Sequence, residues 1–365
     1  LKKMMIFCVL ILVLSFMSVG VVRADALPNL KPALSEVETV SKQLYVIWRD
    51  GKYGFIDSTG KEIIKAVYDG AGSEYVHAQS VYVIDRSKGI QVYYDANGNE
   101  LFECQINQCS YLSEGMAVYE QKIMQSDGTY VKRYGYVNDK GQQVVEPVFH
   151  RASHFKEGLA RVNMGKAGGY IDKNGAQVIP LRFSSTTDFS EGLAVVQLTV
   201  RGKYAYIDKS GKVVIPARFA YAGPFSDGAA VVNVNGKYGY IDRMGKYILT
   251  PQFTAAQPFS EGLAFVERNG KSFYIDKQGN KKILNLTAGG RFVDGLAPAS
   301  TGQKYGFINK TGKFVVKADL EWADSFVGDL AWVYVKLNET PQGTDGYIEG
   351  YMNKQGELIW TGVRN

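Results

Sequence analysis

Reactive side chains are scarce in this sequence of 365 residues, which holds three cysteines and three histidines. His77, His150 and His154 do not make a metal centre. His150 and His154 flank a passage from strand to loop after Pro147, where a spacing of four does not set two rings on one face. Nucleophile elbows, Walker loops and Rossmann glycine fingerprints are missing, and Gly165-Lys166-Ala167-Gly168-Gly169 lacks the following helix that a phosphate site needs. No run of Lys and Arg marks a nucleic-acid surface, and the formal charge of +6 is dispersed. After the first 22 residues no apolar stretch is long enough to cross a bilayer. No catalytic, cofactor-binding or metal-ligating residue is therefore assigned.

Residues 1–26 read as a signal peptide. Lys2 and Lys3 precede an apolar core from Ile6 to Met17, and Ala24-Asp25-Ala26 forms an A-x-A cleavage site. An uncleaved anchor is the alternative, because Met4 to Val22 approaches spanning length. The expected location is secreted or at a bacterial cell surface, with no membrane span once the signal is removed. Residues 27–43, with two prolines and no alternation, read as a linker. Cleavage leaves Cys104 and Cys109, an even number in an oxidising compartment. A disulfide around Gln105 to Gln108 is expected, with paired free thiols as the alternative.

Glycine and tyrosine are abundant, 40 and 24 residues, as suits short strands joined by tight turns. Residues 44–365 repeat one unit. Tyr45-Val46-Ile47-Trp48-Arg49 is a strand, Asp50-Gly51 a turn, Lys52 to Asp57 the returning strand, and Asp57-Ser58-Thr59-Gly60 a second turn into Lys61-Glu62-Ile63-Ile64. The second turn recurs, ending at Gly98, Gly141, Gly175, Gly211, Gly245, Gly279, Gly312 and Gly356. Intervals of 33 to 36 residues at the centre signal an array, propeller or solenoid. Intervals of 43 before Gly141 and 44 before Gly356 leave insertions at Gln121 to Lys132 and Asn338 to Asp345, where binding loops are expected. Between units stand Phe155-Lys156-Glu157-Gly158, Phe189-Ser190-Glu191-Gly192, Phe225-Ser226-Asp227-Gly228 and Phe259-Ser260-Glu261-Gly262, whose acids read as turn residues. Ile179-Pro180 and Ile215-Pro216 read as the ends of third strands.

The unit resembles the WG (KWG) β repeat of bacterial proteins: an aromatic residue, Gly, Tyr or Phe, Ile, Asp, two variable residues, Gly, Lys, and an apolar strand ending in Pro. The first-position Trp is replaced by Tyr53, Tyr134, Tyr204, Tyr238 and Tyr305, while Gln91, Gly168, Ser272 and Glu349 depart further. The resemblance implies a repeat scaffold of interaction type without shared catalytic residues. In Tyr238-Gly239-Tyr240-Ile241-Asp242 the mid-strand glycine points to a bulge or to close approach of something large, such as an aromatic ring of the neighbouring unit. Ala205, Val92 and Phe273 in that slot predict different packing. Asp-x-x-Gly reads as turn chemistry rather than calcium binding, since Gly98 is fourth in the segment that begins with Asp95, where an EF-hand loop needs its glycine sixth.

The expected fold is all-β, about nine three-stranded antiparallel meanders stacked as an open twisted superhelix, with a closed β-propeller as the alternative. The expected function is an exported binding scaffold for a protein or polysaccharide. The alternatives are a glycan-acting hydrolase or lyase and a structural spacer in an envelope assembly. Function is expected where the copies disagree. One or two of Trp48, Trp322, Trp332 and Trp360 are expected to be exposed for stacking or partner contact.

Overall fold

The computed structural model describes residues 43–72, 80–337 and 346–362, all within one compact unit, Ser41–Asn365. The signal and linker segments, apart from Gln43, fall outside them, as do His77 and the insertion at 338–345. The described residues form nine antiparallel sheets taken in chain order, here called blades 1 to 9. Blades 1 and 3 have three strands and the other seven have four, which corrects the three-stranded expectation. The extra strand is two to three residues long in most blades, as at Arg151–Ala152, Ser185–Thr186, Ala255–Ala256 and Trp322–Ala323. Two residues are too few to show period-two alternation, so the sequence pattern hides them.

The nine blades close into a ring, a nine-bladed β-propeller, which overturns the open superhelix. Each hydrophobic core lies between two neighbouring blades: Tyr206, Ile215 and Phe219 of blade 5, for instance, meet Phe225, Val232 and Ile241 of blade 6. An open row of nine blades has eight such interfaces, and here there is a ninth. Tyr45, Ile47 and Ile56 of blade 1 bury themselves against Leu330 and Tyr351 of blade 9. The second turn repeats the same message. A Cβ at Gly245 would stand 2.8 Å from Ile215 of the preceding blade, and at Gly60 it would stand 3.1 Å from Ile359 of blade 9. Among the described residues the seam shares no strand, since blades 1 and 9 keep separate sheets. Side-chain packing closes it.

Within a blade the short strand forms the inner edge and the last long strand the outer edge. Val178, Val213, Val214 and Val315 of the outer strands are exposed. Next to the inner strands, Arg291 of blade 8 reaches Ser226 two blades away, a contact possible only near the axis. The repeated glycine owes its presence to the outer strand of its own blade rather than to a neighbouring ring. Tyr238 pairs with Phe253 and Tyr240 with Leu249, so the outer strand bulges opposite Gly239. A Cβ there would stand 2.6 Å from the Leu249 carbonyl oxygen. Pro251 sits inside this bulge, in the middle of Tyr247–Phe253, instead of ending the strand; a bulge leaves the ladder without need of its N–H. Ala205 keeps the same register shift, contrary to expectation, whereas Val92 has none and Phe273 a shorter one.

The Asp-x-x-Gly segments are turns closed by their own carboxyls. Asp276 Oδ1 accepts the N–H groups of Gln278 and Asn280, and Asp57 and Asp95 repeat the pattern. Burial alone would raise these three carboxyls, but the hydrogen bonds outweigh it and lower all three. Asp276, which also accepts from Lys282 and Asn280 side chains, falls from 3.8 to about 2. A carboxyl depressed in the fold stabilises it fully above its unfolded value and ceases to do so as pH falls through the folded one. The urea midpoint is therefore expected to hold down to about pH 4 and to drop between about pH 4 and pH 2. Asp276→Asn should keep the turn, because Asn138, Asn309 and Asn353 serve the same role in other blades. A series of midpoints at several pH values checks this: the variant should lose less on acidification than the parent protein, and equal slopes would refute the assignment.

Two sets of polar contacts join successive blades. The second aromatic residue of the repeat is fully buried and its hydroxyl donates to a carbonyl at or just after the inner strand of the next blade: Tyr136 to Ser153 O, Tyr170 to Thr187 O, Tyr206 to Gly223 O and Tyr240 to Gln257 O, each at 2.7 Å. Burial pushes these phenols well above their ordinary range, so they remain donors. The acids of the connecting loops form the second set. Glu157, Glu191, Asp227 and Glu261 hold φ between 51° and 54°, and they accept the N–H of Gly192, Gly228, Gly262 and Gly295 one blade on. Lys209, Lys277 and Lys310 of the following blades pair with three of them at 2.9 to 3.1 Å. These acids are turn residues, as read, and also links between blades.

Candidate functional site

Tryptophan is confined to the two blades that meet at the seam: Trp48 in blade 1, and Trp322, Trp332 and Trp360 in blade 9. Alternation along Leu330–Leu337 sends Val333 into the core with blade 8, and places Trp332 and Tyr334 toward blade 1. On the paired strand Gly346–Asn353, Tyr351 lies opposite Trp332 and Glu349 opposite Tyr334. The rings then pack at angles. Trp332 lies 5.5 Å from Trp48 and 4.7 Å from Tyr351, and Trp48 lies 4.7 Å from Trp360. Trp322 is different, being 46% exposed, with its indole N–H donated to Asp324 Oδ1 at 2.9 Å and its ring 5.0 Å from Tyr305.

Three adjoining cavities surround these groups. One of about 390 Å³ is lined by Trp48, Trp322, Asp324, Trp332, Tyr334 and Glu349. A second, of about 520 Å³, runs over the inner strands of blades 7, 8 and 9, with Ala255, Ala288 and Gly289 in its lining and Trp322 and Asp324 among its walls. The third, about 220 Å³ and mainly apolar, lies between Leu44, Tyr45 and Leu330 and also touches Asp324. Both larger volumes fall in the range of about 300–1,000 Å³ usual for small-molecule sites. Glu349, only 6% exposed, occupies the first slot of the repeat, where five other blades carry Tyr. The groove thus forms where the repeat departs from its own pattern.

The other residues singled out from sequence lie elsewhere. A disulfide ties Cys104, near the end of the strand Glu100–Gln105 in blade 2, to Cys109 in the segment that follows, and the Tyr93 hydroxyl donates to the carbonyl oxygens of Cys109 and Ser110. His150 Nδ1 accepts the Gly165 N–H, and His154 stacks on Tyr111 at 3.7 Å, so the two rings are engaged separately. Among the described residues no three His, Cys, Asp or Glu side chains are grouped to hold a metal. The insertion at Gln121 to Lys132 is not an open loop: it lengthens the Met116–Met124 and Tyr130–Asn138 hairpin, paired as far as Met124 and Tyr130. The sequence reading expected one or two exposed tryptophans, and Trp322 is exposed, but it gave the four no common place in the fold. Their confinement to the first and last units was the available signal for the seam.

Similarity to solved structures extends over the ring. The crystal structure of the eukaryotic initiation factor aligns with a TM-score of 0.62 at 10% identity, covering 89% of this chain and 96% of that one. Apo AztD from Citrobacter koseri aligns at 0.38 and 15% identity, over 73% and 91%. Virginiamycin B lyase from Staphylococcus aureus aligns at 0.31 and 12%, over 80% and 95%. At such identities the first likeness concerns the fold alone. No curated protein sequence matches the chain. The model of the WG containing repeat matches residues 53–75, 93–122, 134–166, 169–204, 204–238, 238–271 and 305–336. Those matches take in more than half of the sequence, and the chain belongs to the WG repeat family.

Proposed function

We propose that this protein is an exported, non-catalytic binding scaffold that recognises a protein or polysaccharide at or beyond the bacterial cell surface, through the groove where blades 7, 8, 9 and 1 meet. The observation that carries the reading is Trp322, an exposed ring pinned by Asp324 at the junction of two cavities. A hydrogen bond that fixes the indole lowers the entropy lost when a ligand stacks on it. The repeated residues are occupied in joining blades, which leaves the groove as the part of the ring not consumed by folding. A spacer in an envelope assembly has no use for such a concave aromatic surface.

A second reading, a glycan-acting enzyme, is favoured by one fact: Asp324 and Glu349 line the same cavity, and glycoside hydrolysis needs two carboxyl groups in one cleft. One set of experiments separates the readings. Glycan arrays and capture from cell-surface extracts should yield a ligand, with retention falling at least about tenfold in Trp322→Ala, a loss of about 1.4 kcal/mol. Capture indifferent to Trp322→Ala would remove the groove from the account. Polysaccharide turnover by the purified protein, abolished in Glu349→Gln, would establish the enzyme instead.

A further inference from the structure

We infer that the groove takes an organic ammonium group, a protonated amine or quaternary ammonium on an apolar stem, held against the aromatic wall that Trp48, Trp322 and Trp332 give the cavity. The inference rests on the groove being the binding site and adds the chemistry of its ligand.

Charge is the first ground. The whole chain carries an excess of Lys and Arg, 42 against 36 Asp and Glu. The walls of the three adjoining cavities reverse that balance. Glu267, Asp324 and Glu349 are among their lining residues, and no Lys, Arg or His is. A cleft of one sign with low-dielectric walls concentrates ligands of the opposite sign. That lining repels an anionic ligand and attracts a cationic one.

Ring geometry is the second ground. A cation is attracted to the face of an aromatic ring, most strongly to Trp, and several rings set at angles to one another serve it better than one platform. Trp48 and Trp332 are tilted by 46°, and Tyr334 stands at 84° to Trp332. These walls meet around the 390 Å³ cavity with Glu349 beside Tyr334. A neutral sugar asks for one flat face and a mixture of donors and acceptors. Of the side chains lining this cavity, the indole N–H of Trp322 is already given to the Asp324 carboxyl, which sets a negative charge at the edge of the ring. That set suits a group bearing positive charge and N–H or N-methyl contacts.

Tryptophan fluorescence titration of the full chain decides the matter, with choline and Nα-acetyl-lysine methylamide as cationic probes, 3,3-dimethylbutan-1-ol as the neutral isostere of choline, and cellobiose as a neutral sugar. At least one cation is expected to bind tenfold or more tightly than the neutral isostere. Glu349→Gln and Asp324→Asn should each weaken that binding about tenfold, with unfolding midpoints measured alongside. Because Asp324 is exposed, its variant remains informative should Glu349→Gln fold poorly. Tighter binding of choline identifies a free quaternary ammonium as the source, and tighter binding of the lysine amide identifies a protein side chain. Equal binding of cation and isostere, cellobiose binding in place of the cations, or no binding of either cation would overturn the inference. If Trp322-dependent capture of a partner persists in that event, the groove stands as the site and only its cationic ligand falls; if capture also fails, both fall.

Discussion

Replacing Tyr45 with alanine is expected to destabilise the protein by about 3–5 kcal/mol, the range for deleting a buried aromatic ring. Tyr45 is 4% exposed and its ring lies 5.2 Å from Tyr351 across the seam. Its hydroxyl donates to Val327 O at 2.8 Å and accepts the Asp329 N–H at 3.0 Å, so one side chain serves two backbone groups of blade 9. Burial raises the phenol to about 12, and it remains a donor throughout the neutral range. Tyr45→Phe separates the two contributions and should cost about 1–3 kcal/mol, the range for leaving buried polar groups unpaired. Urea unfolding followed by circular dichroism measures both. A loss under about 1 kcal/mol for the alanine variant would mean that the seam is open in solution.

The second large effect concerns the glycine of the repeat. Gly239→Val forces a branched side chain onto the Leu249 carbonyl oxygen and should cost roughly 3 kcal/mol or more, since backbone cannot yield as a flexible side chain does. Gly350→Val meets the Trp360 carbonyl oxygen at 2.5 Å and should cost about as much. An open row of units predicts a larger loss at Gly239, which has a neighbour on both sides, than at Gly350 in the last unit. The ring gives both blades two neighbours. Unfolding midpoints for the pair should therefore agree to within about 1 kcal/mol, and a loss confined to Gly239 would restore the open arrangement.

The number of units, their long strands and the turns from Asp57 to Gly60 onward were legible in the sequence, because Asp and Gly at fixed spacing report local geometry. Closure was not. Tyr240 reaches a carbonyl 17 residues on, a relation that recurs with the repeat and reads the same in a row or a ring. The contact of Tyr45 with Val327 spans 282 residues and has no periodic counterpart. The glycine slot was read as a bulge or a close approach, and it is both; only the suggested aromatic ring of the neighbouring unit was wrong, since the pattern of Gly239 and Pro251 does not say that both belong to one bulge. The acids Glu157 and Glu261 looked sufficient as turn formers, and their partners one blade away lie 35 and 34 residues on, beyond any local rule. Of the candidate site, Glu349 was visible as a departure from the repeat. Its meeting with Trp322 and Trp48 depends on the ring.

Among the described residues no chain link crosses the seam between blades 9 and 1, which side chains close, and the groove lies across that joint. A ligand seated in the 390 Å³ cavity, as proposed, would touch Trp48 on one lip and Trp332 on the other, and would bind only while the lips are together. By mass action a ligand at a hundred times its dissociation constant would add about 2.7 kcal/mol to the closed form. On the proposed function, occupancy of the groove and integrity of the propeller are one equilibrium, and the protein would be hardest to unfold with its ligand bound.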